Sequence, residues 1–472
     1  MTDVVLINPG ASRTIYQNLS DDLSAIEPNP WVRMIAGWLV DKGFDVAILD
    51  QDAWRWTPEE VAEQVKKLNP RLVAIVVSGQ QPSASTQQMT GASLLAKAIQ
   101  GVPKIMIGNH PSALPVRTLR EEDVDYVCDG EGPVTLDGLI RGLPFDRIPG
   151  LVWKDDTIHR NPNAKLIPID ELHGDVWDLL PMDEYRAHTW QCLDGSSRKP
   201  YASIYTTQGC PFSCSFCCIN AFQHSNNYRR RTPSKVVEQI EKLYHQYGVK
   251  TFKFADEMFV LDPSHYLPIC ERLAALPFAD ELNIWAYARI DTVKPHTLNI
   301  MRCAGIRWLA LGIESASNQV RDGAEKHLND DDIREVVRSI HQAGISVIGN
   351  FIFGLPDDTR ESMQATLNLS RSLDLEFSNY YSAMAYPGSK LFDMARKEDL
   401  PEIWSGYSQH SFDTKPLPTA TLSSSEVLAF RDQAFIDFFS DPRYLERIEK
   451  KFGSTREILS MTSRKLARAA CV

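Results

Sequence analysis

No run of about 18 apolar residues occurs in this 472-residue chain, so no segment is long enough to cross a bilayer as a helix. Nor does a basic stretch precede the first apolar residues. Met1-Thr2-Asp3-Val4-Val5-Leu6-Ile7 enters a strand directly and lacks the pattern of a secretory leader, so a cytoplasmic location is the expectation. Positive charge is scarce. The 50 Lys and Arg face 61 Asp and Glu, a net charge of −11, which speaks against nucleic acid as the main partner. The same acidity is compatible with a cationic small molecule, and equally with solubility alone. Cysteine is sparse and mostly scattered. Its nine copies are an odd number with a single tight group, which argues against a disulfide framework and for a reducing compartment and a bound cofactor. Fixed-period repeats and low-complexity tracts are lacking too. What remains, 43% hydrophobic and 24% charged residues, is ordinary for a globular protein, and the length predicts two or three domains.

The tight group is Gly209-Cys210-Pro211-Phe212-Ser213-Cys214-Ser215-Phe216-Cys217-Cys218, a CxxxCxxC spacing just after the strand-like run Tyr201-Ala202-Ser203-Ile204-Tyr205-Thr206. Three thiolates this close can face one inorganic centre, and thiolates suit zinc or an iron–sulfur cluster. A structural zinc site closes with four ligands, whereas three leave a position open. The spacing, with aromatic Phe216 before the last cysteine, resembles the signature of the radical S-adenosylmethionine enzymes. That resemblance implies a [4Fe–4S] cluster on Cys210, Cys214 and Cys217. Its open iron would take the amino and carboxylate groups of S-adenosylmethionine, one electron would release a 5'-deoxyadenosyl radical, and Phe216 would lie against the adenine. It also implies an electron donor of the flavodoxin or ferredoxin type. The remote alternative is a zinc knuckle on a non-catalytic scaffold. Cys218 reads as a buried neighbour, and Cys128, Cys192, Cys270, Cys303 and Cys471 as structural.

Either side of this loop strands and helices alternate, which predicts an α/β protein. Residues 1–160 read as a doubly wound, Rossmann-like domain. Val4 to Ile7, Phe44 to Leu49, Leu72 to Val77, Lys104 to Ile107 and Val124 to Val127 are its strands, and the most apolar of them fit a parallel sheet buried on both faces. Ligands of such sheets bind beyond the carboxyl ends of the strands. Asn8-Pro9, Gly108-Asn109-His110-Pro111 and the run from Val124 to Gly132 resemble the cobalamin-binding domain found ahead of many radical S-adenosylmethionine cores. The DxHxxG motif that supplies a histidine to cobalt is missing, so cobalamin stays open. His110 is read as a loop histidine in preference to a cobalt ligand. Ser78 to Thr86 either lines a cofactor pocket or merely makes a turn. Residues 161–197 read as a connector whose Trp177 to Tyr185 packs across a seam. Residues 198–400 carry six βα units, a (βα)6 partial barrel. Residues 401–472 read as a helical cap closing the barrel mouth, with helices at Leu422 to Phe439 and about 455–469.

Functional groups of a parallel barrel sit at the carboxyl ends of its strands. The cysteine loop, Asp256, Glu257, Arg289, Glu314, Asn350 and Ser382 all fall there. The resemblance implies their roles. Asp256-Glu257 stands where the family binds the methionine ammonium, with Glu257 favoured because a carboxylate facing an ammonium is a charge-assisted pair. Glu314 matches a position that meets the ribose or the methionine carboxylate, and Arg289 pairs with that carboxylate or with a substrate group. Asn350 and Gly354 lie in a segment resembling the adenine-contacting strand. Glu257, Glu314 and Tyr381 are the catalytic candidates. Tyr380 and Tyr381 point to opposite faces, so one can reach the site. Trp285 and Tyr287 read as barrel core, and Tyr228-Arg229-Arg230-Arg231 as a solvated face. The activity so implied is hydrogen abstraction from an unactivated carbon of a small polar metabolite, of the secondary-metabolite, antibiotic or sugar type. Cobalamin-dependent C-methylation is the first outcome. The rival is radical dehydration, deoxygenation or rearrangement of a sugar or aminoglycoside without cobalamin.

Overall fold

The computed structural model describes residues 2–79, 81–326, 330–463 and 466–469. Five parallel strands come first: β1 (Val4–Asn8), β2 (Val46–Asp50), β3 (Leu72–Val76), β4 (Lys104–Ile107) and β5 (Tyr126–Cys128). A hairpin of β6 (Leu151–Lys154) and β7 (Ile158–Arg160), which the sequence pattern does not announce, extends the sheet antiparallel to the order β2-β1-β3-β4-β5-β6-β7. Successive side chains explain the apolar runs. Val4 and Leu6 enter one core, Val5 and Ile7 the other, so helices cover both faces. Thr57 starts one covering helix, Pro58–Leu68, through a capping box with Glu60. The strand order reverses between β1 and β3, which opens a crevice at their carboxyl ends.

The second sheet begins with β8 (Tyr201–Ile204). A short ribbon of β9 (Thr207–Gln208) and β10 (Arg229–Arg230) flanks the cysteine loop. Then come β11 (Thr251–Phe254), β12 (Asn283–Arg289), β13 (Ile306–Glu314), β14 (Ser346–Phe353) and β15 (Phe377–Ser382). β8 and β11 to β15 form one parallel six-stranded sheet in chain order, the expected partial barrel. Its register sets Arg289 beside Gly312, Asn350 and Asn379, and Tyr287 beside Ala310 and Ile348. Ala310 and Gly312 are too small to fill an interior that large side chains fill in closed barrels.

The connector ties the two sheets together. Arg33, on the helix Pro30–Asp41, donates to the carbonyls of Gly174 (2.7 Å) and Ser203 (2.5 Å) and stacks 3.7 Å over Trp177. Tyr185 donates to Asp50 at 2.8 Å. The run after β5 is a second clasp. Asp129 pairs with Arg160 (2.5 Å) and with His224 of the cysteine loop (2.6 Å), and Glu131 pairs with Arg229. The basic run is solvated only in part: exposed Arg230 pairs with Asp262 at the surface, whereas buried Arg231 donates to Gln239 at 2.7 Å.

The tail departs from expectation. Ser423 caps the helix Ser424–Phe439 as predicted, but that helix lies along β15, where Arg431 donates to the Tyr380 carbonyl at 2.8 Å. The unpredicted helix Pro442–Phe452, begun by Asp441-Pro442, covers the amino-terminal end of the barrel, where Phe452 stacks on Trp308 at 5.9 Å. The cap thus seals the floor and the β15 edge, and the mouth is left to the loops. The last predicted helix spans Arg456–Ser463; Cys471 lies outside the described residues. None of the described helices is long and apolar enough to cross a membrane.

Glu376 pins the floor helix. It accepts from the Val347 amide (2.6 Å) and Lys451 (2.8 Å) and faces His341 at 3.0 Å. Burial pushes its carboxyl up, but His341 and Lys451 outweigh burial and bring it to about 2, against an ordinary 4.5. A lowered carboxylate stabilises the fold above its unfolded value and loses that contribution as pH falls through its folded value. Glu376→Gln is expected to cost about 3 kcal/mol at neutral pH. Urea unfolding of the two proteins should show that difference shrinking as pH drops from 5 toward 2.

Candidate active site

The cysteine loop hangs from the carboxyl end of β8. Gly209 starts it at φ +86°, where a side chain would strike the Asn227 carbonyl at 2.2 Å, so only glycine serves there. Cys210, Cys214, Phe216 and Cys217 line a cavity of about 280 Å³ at the barrel mouth. Burial raises the thiol of Cys210 to about 11 and that of Cys214 in the same direction. The chain alone therefore does not hold them as thiolates, and a bound metal centre is the usual agent that does. Among the described residues no three His, Cys, Asp or Glu side chains close on a single ion. Cys218 is buried against Met384, Tyr386 and Tyr407 and also borders the same cavity. Cys128, Cys192 and Cys270 are buried and unpaired, and Cys303 is exposed.

Four charged groups face the thiols. The Arg289 guanidinium reaches Cys214 Sγ at 3.9 Å, lies 3.9 Å from the Phe212 ring centre, and is braced by Asp291 at 2.9 Å. Glu257 accepts from the Gly209 amide at 3.2 Å, and burial raises its carboxyl to about 8. Glu314 sits at φ +66°, an unfavourable conformation for a residue with a Cβ. A register shift between Gly312 and Glu314 turns its carboxylate inward, where buried Lys326 holds it at 2.5 Å. A side chain at Gly312 would strike that ion pair. Asn350 and Tyr381 also line the cavity, as does Ser382, whose buried hydroxyl has no partner among the described residues.

Two candidates lie elsewhere. Asp256 is fully buried and accepts from the Thr206 amide (2.6 Å) and hydroxyl (2.5 Å), on the opposite face of the strand end from Glu257. It braces the start of the cysteine loop and does not border the cavity. Gly354 gives its amide to Asp358 at 3.0 Å, and a side chain there would strike Val427. Its φ of +80° serves packing of the C-terminal helix. Tyr380 is stacked on Phe353 and hydrogen-bonded to Ser370 at 2.6 Å. Gln81 belongs to the Ser78 to Thr86 stretch read as a pocket lining or a turn, whereas Lys326, Tyr386 and Gln409 were not predicted. Each comes from a segment with no pattern of its own, and only the fold brings them to the mouth.

A second cavity, of about 300 Å³, occupies the seam between the two sheets. Asn8, Asp52, Ser78 and Gly79 line it from the crevice at β1 and β3; Lys253, Trp285 and Tyr287 line it from the barrel. Trp285 and Tyr287 are thus cavity walls as well as core. Gln81, Tyr287, Asn350, Tyr381, Tyr386 and Gln409 border both cavities, and Gln81 and Tyr287 are hydrogen-bonded to one another at the junction. The Ser78 to Thr86 stretch divides its work. Ser78, Gly79, Gln81 and Ala84 face the cavity, Ser85 receives the His110 amide at 2.9 Å, and Gln80 lies outside the described residues. His110 itself is buried against Trp404, which lowers it to about 3, and it does not border the seam. The buried amide oxygen of Gln88, which has no partner among the described residues, borders the seam and suits an amide-rich ligand such as cobalamin.

Comparison with known proteins agrees with this layout. Residues 204–370 match the model of the radical SAM superfamily, and residues 21–140 match that of the B12 binding domain. An uncharacterized methyltransferase of Pyrococcus horikoshii is 28% identical over 418 residues, covering 86% of this chain and 87% of its own. The anaerobic magnesium-protoporphyrin IX monomethyl ester cyclase of Cereibacter sphaeroides is 26% identical, covering 90% of this chain and 68% of its own. The radical S-adenosylmethionine methyltransferase TsrM of Kitasatospora setae, solved with cobalamin and a [4Fe–4S] cluster, superposes with a TM-score of 0.64 at 19% identity, over 83% of this chain and 74% of that one.

Proposed function

Given that the chain is an enzyme of the radical S-adenosylmethionine superfamily with a B12-binding domain ahead of its barrel, we propose that it transfers a methyl group to an unactivated carbon of a small molecule, with a [4Fe–4S] cluster, S-adenosylmethionine and cobalamin as cofactors. The observation that carries this reading is the wall the two cavities share, which sets the crevice of the first sheet directly against the cysteine-lined mouth. When bound, the cluster and S-adenosylmethionine supply a radical that abstracts hydrogen, and cobalamin supplies the methyl carrier.

The chain's own residues bind and orient. Cys210, Cys214 and Cys217 hold the cluster, and Arg289 offsets its charge. Glu257 receives the ammonium of S-adenosylmethionine, a role favoured by a burial that the Gly209 amide and the Tyr205 hydroxyl offset only in part. Glu314, fixed by Lys326, meets the ribose hydroxyls, and Phe216 packs against the adenine. Tyr381 and Tyr287, bordering both cavities, hold the reacting carbon at the junction and exclude water. A low-potential donor of the flavodoxin or ferredoxin type supplies the electron.

The test is cofactor content. Anaerobically reconstituted protein offered hydroxocobalamin should retain about one per chain beside four irons. His110→Ala should retain as much, because His110 is packed away from the seam. A four-iron protein that retains no cobalamin would overturn the proposal and favour dehydration or rearrangement.

A further inference from the structure

Net acidity does not extend into the seam cavity. Its charges come in opposed pairs: Lys253 with Glu27, and Arg55 beside Asp52, while Arg431 at its edge is matched by Asp432 at 2.8 Å. The Lys253–Glu27 pair lies on the barrel floor with both side chains buried, 3.2 Å apart. Burying two charges is costly, and a pair kept there bordering a cavity offers both signs to whatever enters. Glu27 takes the Tyr201 hydroxyl at 2.8 Å on its other oxygen, and each oxygen keeps a spare lone pair. Lys253 has three N–H donors. One goes to Glu27, and its ammonium lies 4.8 Å from the Trp285 ring centre, which leaves a donor for a ligand.

His188 borders the same floor. Its Nδ1 accepts the Ala25 amide hydrogen at 3.3 Å, and burial lowers the ring to about 4, so it is neutral with its proton on Nε2. Two donors and one carboxylate therefore meet at one end of the cavity. Trp285, Tyr287 and Tyr381 wall the path from there to the junction, with Trp285 and Tyr287 edge-on at 5.0 Å. A lone carboxylate or a lone ammonium would leave net charge beside the buried Lys253 and Glu27 side chains. A ligand end that carries both signs keeps the floor neutral and satisfies every group.

We propose that the seam floor is a subsite for the zwitterionic end of an aromatic amino acid, the carboxylate on Lys253 and His188, the ammonium on Glu27, and the ring against Trp285 and Tyr287. This rests on reading the junction as the place where substrate meets the cluster.

Equilibrium dialysis on the reconstituted, cobalamin-loaded enzyme tests it with three probes: L-phenylalanine, phenethylamine and 3-phenylpropionate. L-Phenylalanine should bind at least about tenfold more tightly than either one-charge probe. Glu27→Gln should shift preference toward 3-phenylpropionate, and Lys253→Met toward phenethylamine. Should either variant fail to fold, His188→Phe, which keeps the stack on Trp190, should weaken the two carboxylates and spare the amine. Equal binding of all three probes, binding of none, or a uniform loss across probes in the variants would overturn the subsite. The readout is binding, so it is separate from whether the enzyme releases S-adenosylhomocysteine.

Discussion

Alanine at Cys210, Cys214 or Cys217 is expected to remove the brown chromophore and reduce 5'-deoxyadenosine formation to background, whereas Cys218→Ala keeps both. The three differ from Cys218 in placement. All four border the cavity, but Cys218 is also buried in the small core of Met384, Tyr386 and Tyr407, which the other three are not part of. A cluster on three thiolates has no spare ligand, so the loss is all-or-none in each variant. Iron content and the visible spectrum after anaerobic reconstitution measure it. A chromophore surviving any one of the three replacements would bring Cys218 into the ligand set.

Glu257→Gln is expected to move two quantities in opposite directions. Affinity for S-adenosylmethionine should fall about ten- to a hundredfold, the weight of one charge-assisted hydrogen bond. Stability without ligand should rise. Burial holds the Glu257 carboxyl at about 8, well above its ordinary 4.5. Folding therefore disfavours its charged form at every pH above the unfolded value, and glutamine removes that cost. Equilibrium dialysis and thermal unfolding of the reconstituted protein read the two effects. A variant that loses stability and keeps its affinity would assign Glu257 to the architecture, alongside its neighbour Asp256.

That neighbouring pair marks where the sequence stops being legible. Asp256-Glu257 is visible as an acidic strand end, but adjacent residues leave a strand on opposite faces, and only the sheet's orientation decides which enters the barrel. Glu257 does; Asp256 braces Thr206. The cysteine loop, the apolar strands and the caps at Thr57 and Ser423 rest on local rules and are legible for that reason. Tyr386 and Gln409 obey no local rule and meet Gln81 only because segments hundreds of residues apart come together at one seam, while Lys326 reaches the mouth through its pair with Glu314. Gly354 misled because a positive φ signals a constraint without saying whether a ligand or a packed helix imposes it; here the helix residue Val427 does. The run at Arg229 to Arg231 misled in a similar way. The partner that makes Arg229 part of a domain clasp, Glu131, is remote in sequence, so a clasp has the composition of a solvated face.

The most direct measurement of the central claim needs no substrate. Reconstituted, cobalamin-loaded enzyme is reduced anaerobically and mixed with S-adenosylmethionine, and S-adenosylhomocysteine is counted. One equivalent released per bound cobalamin, and none when cobalamin is withheld, is the result a methyltransferase with adjoining cavities predicts. Formation of 5'-deoxyadenosine alone, with no S-adenosylhomocysteine whether or not cobalamin is bound, would contradict it.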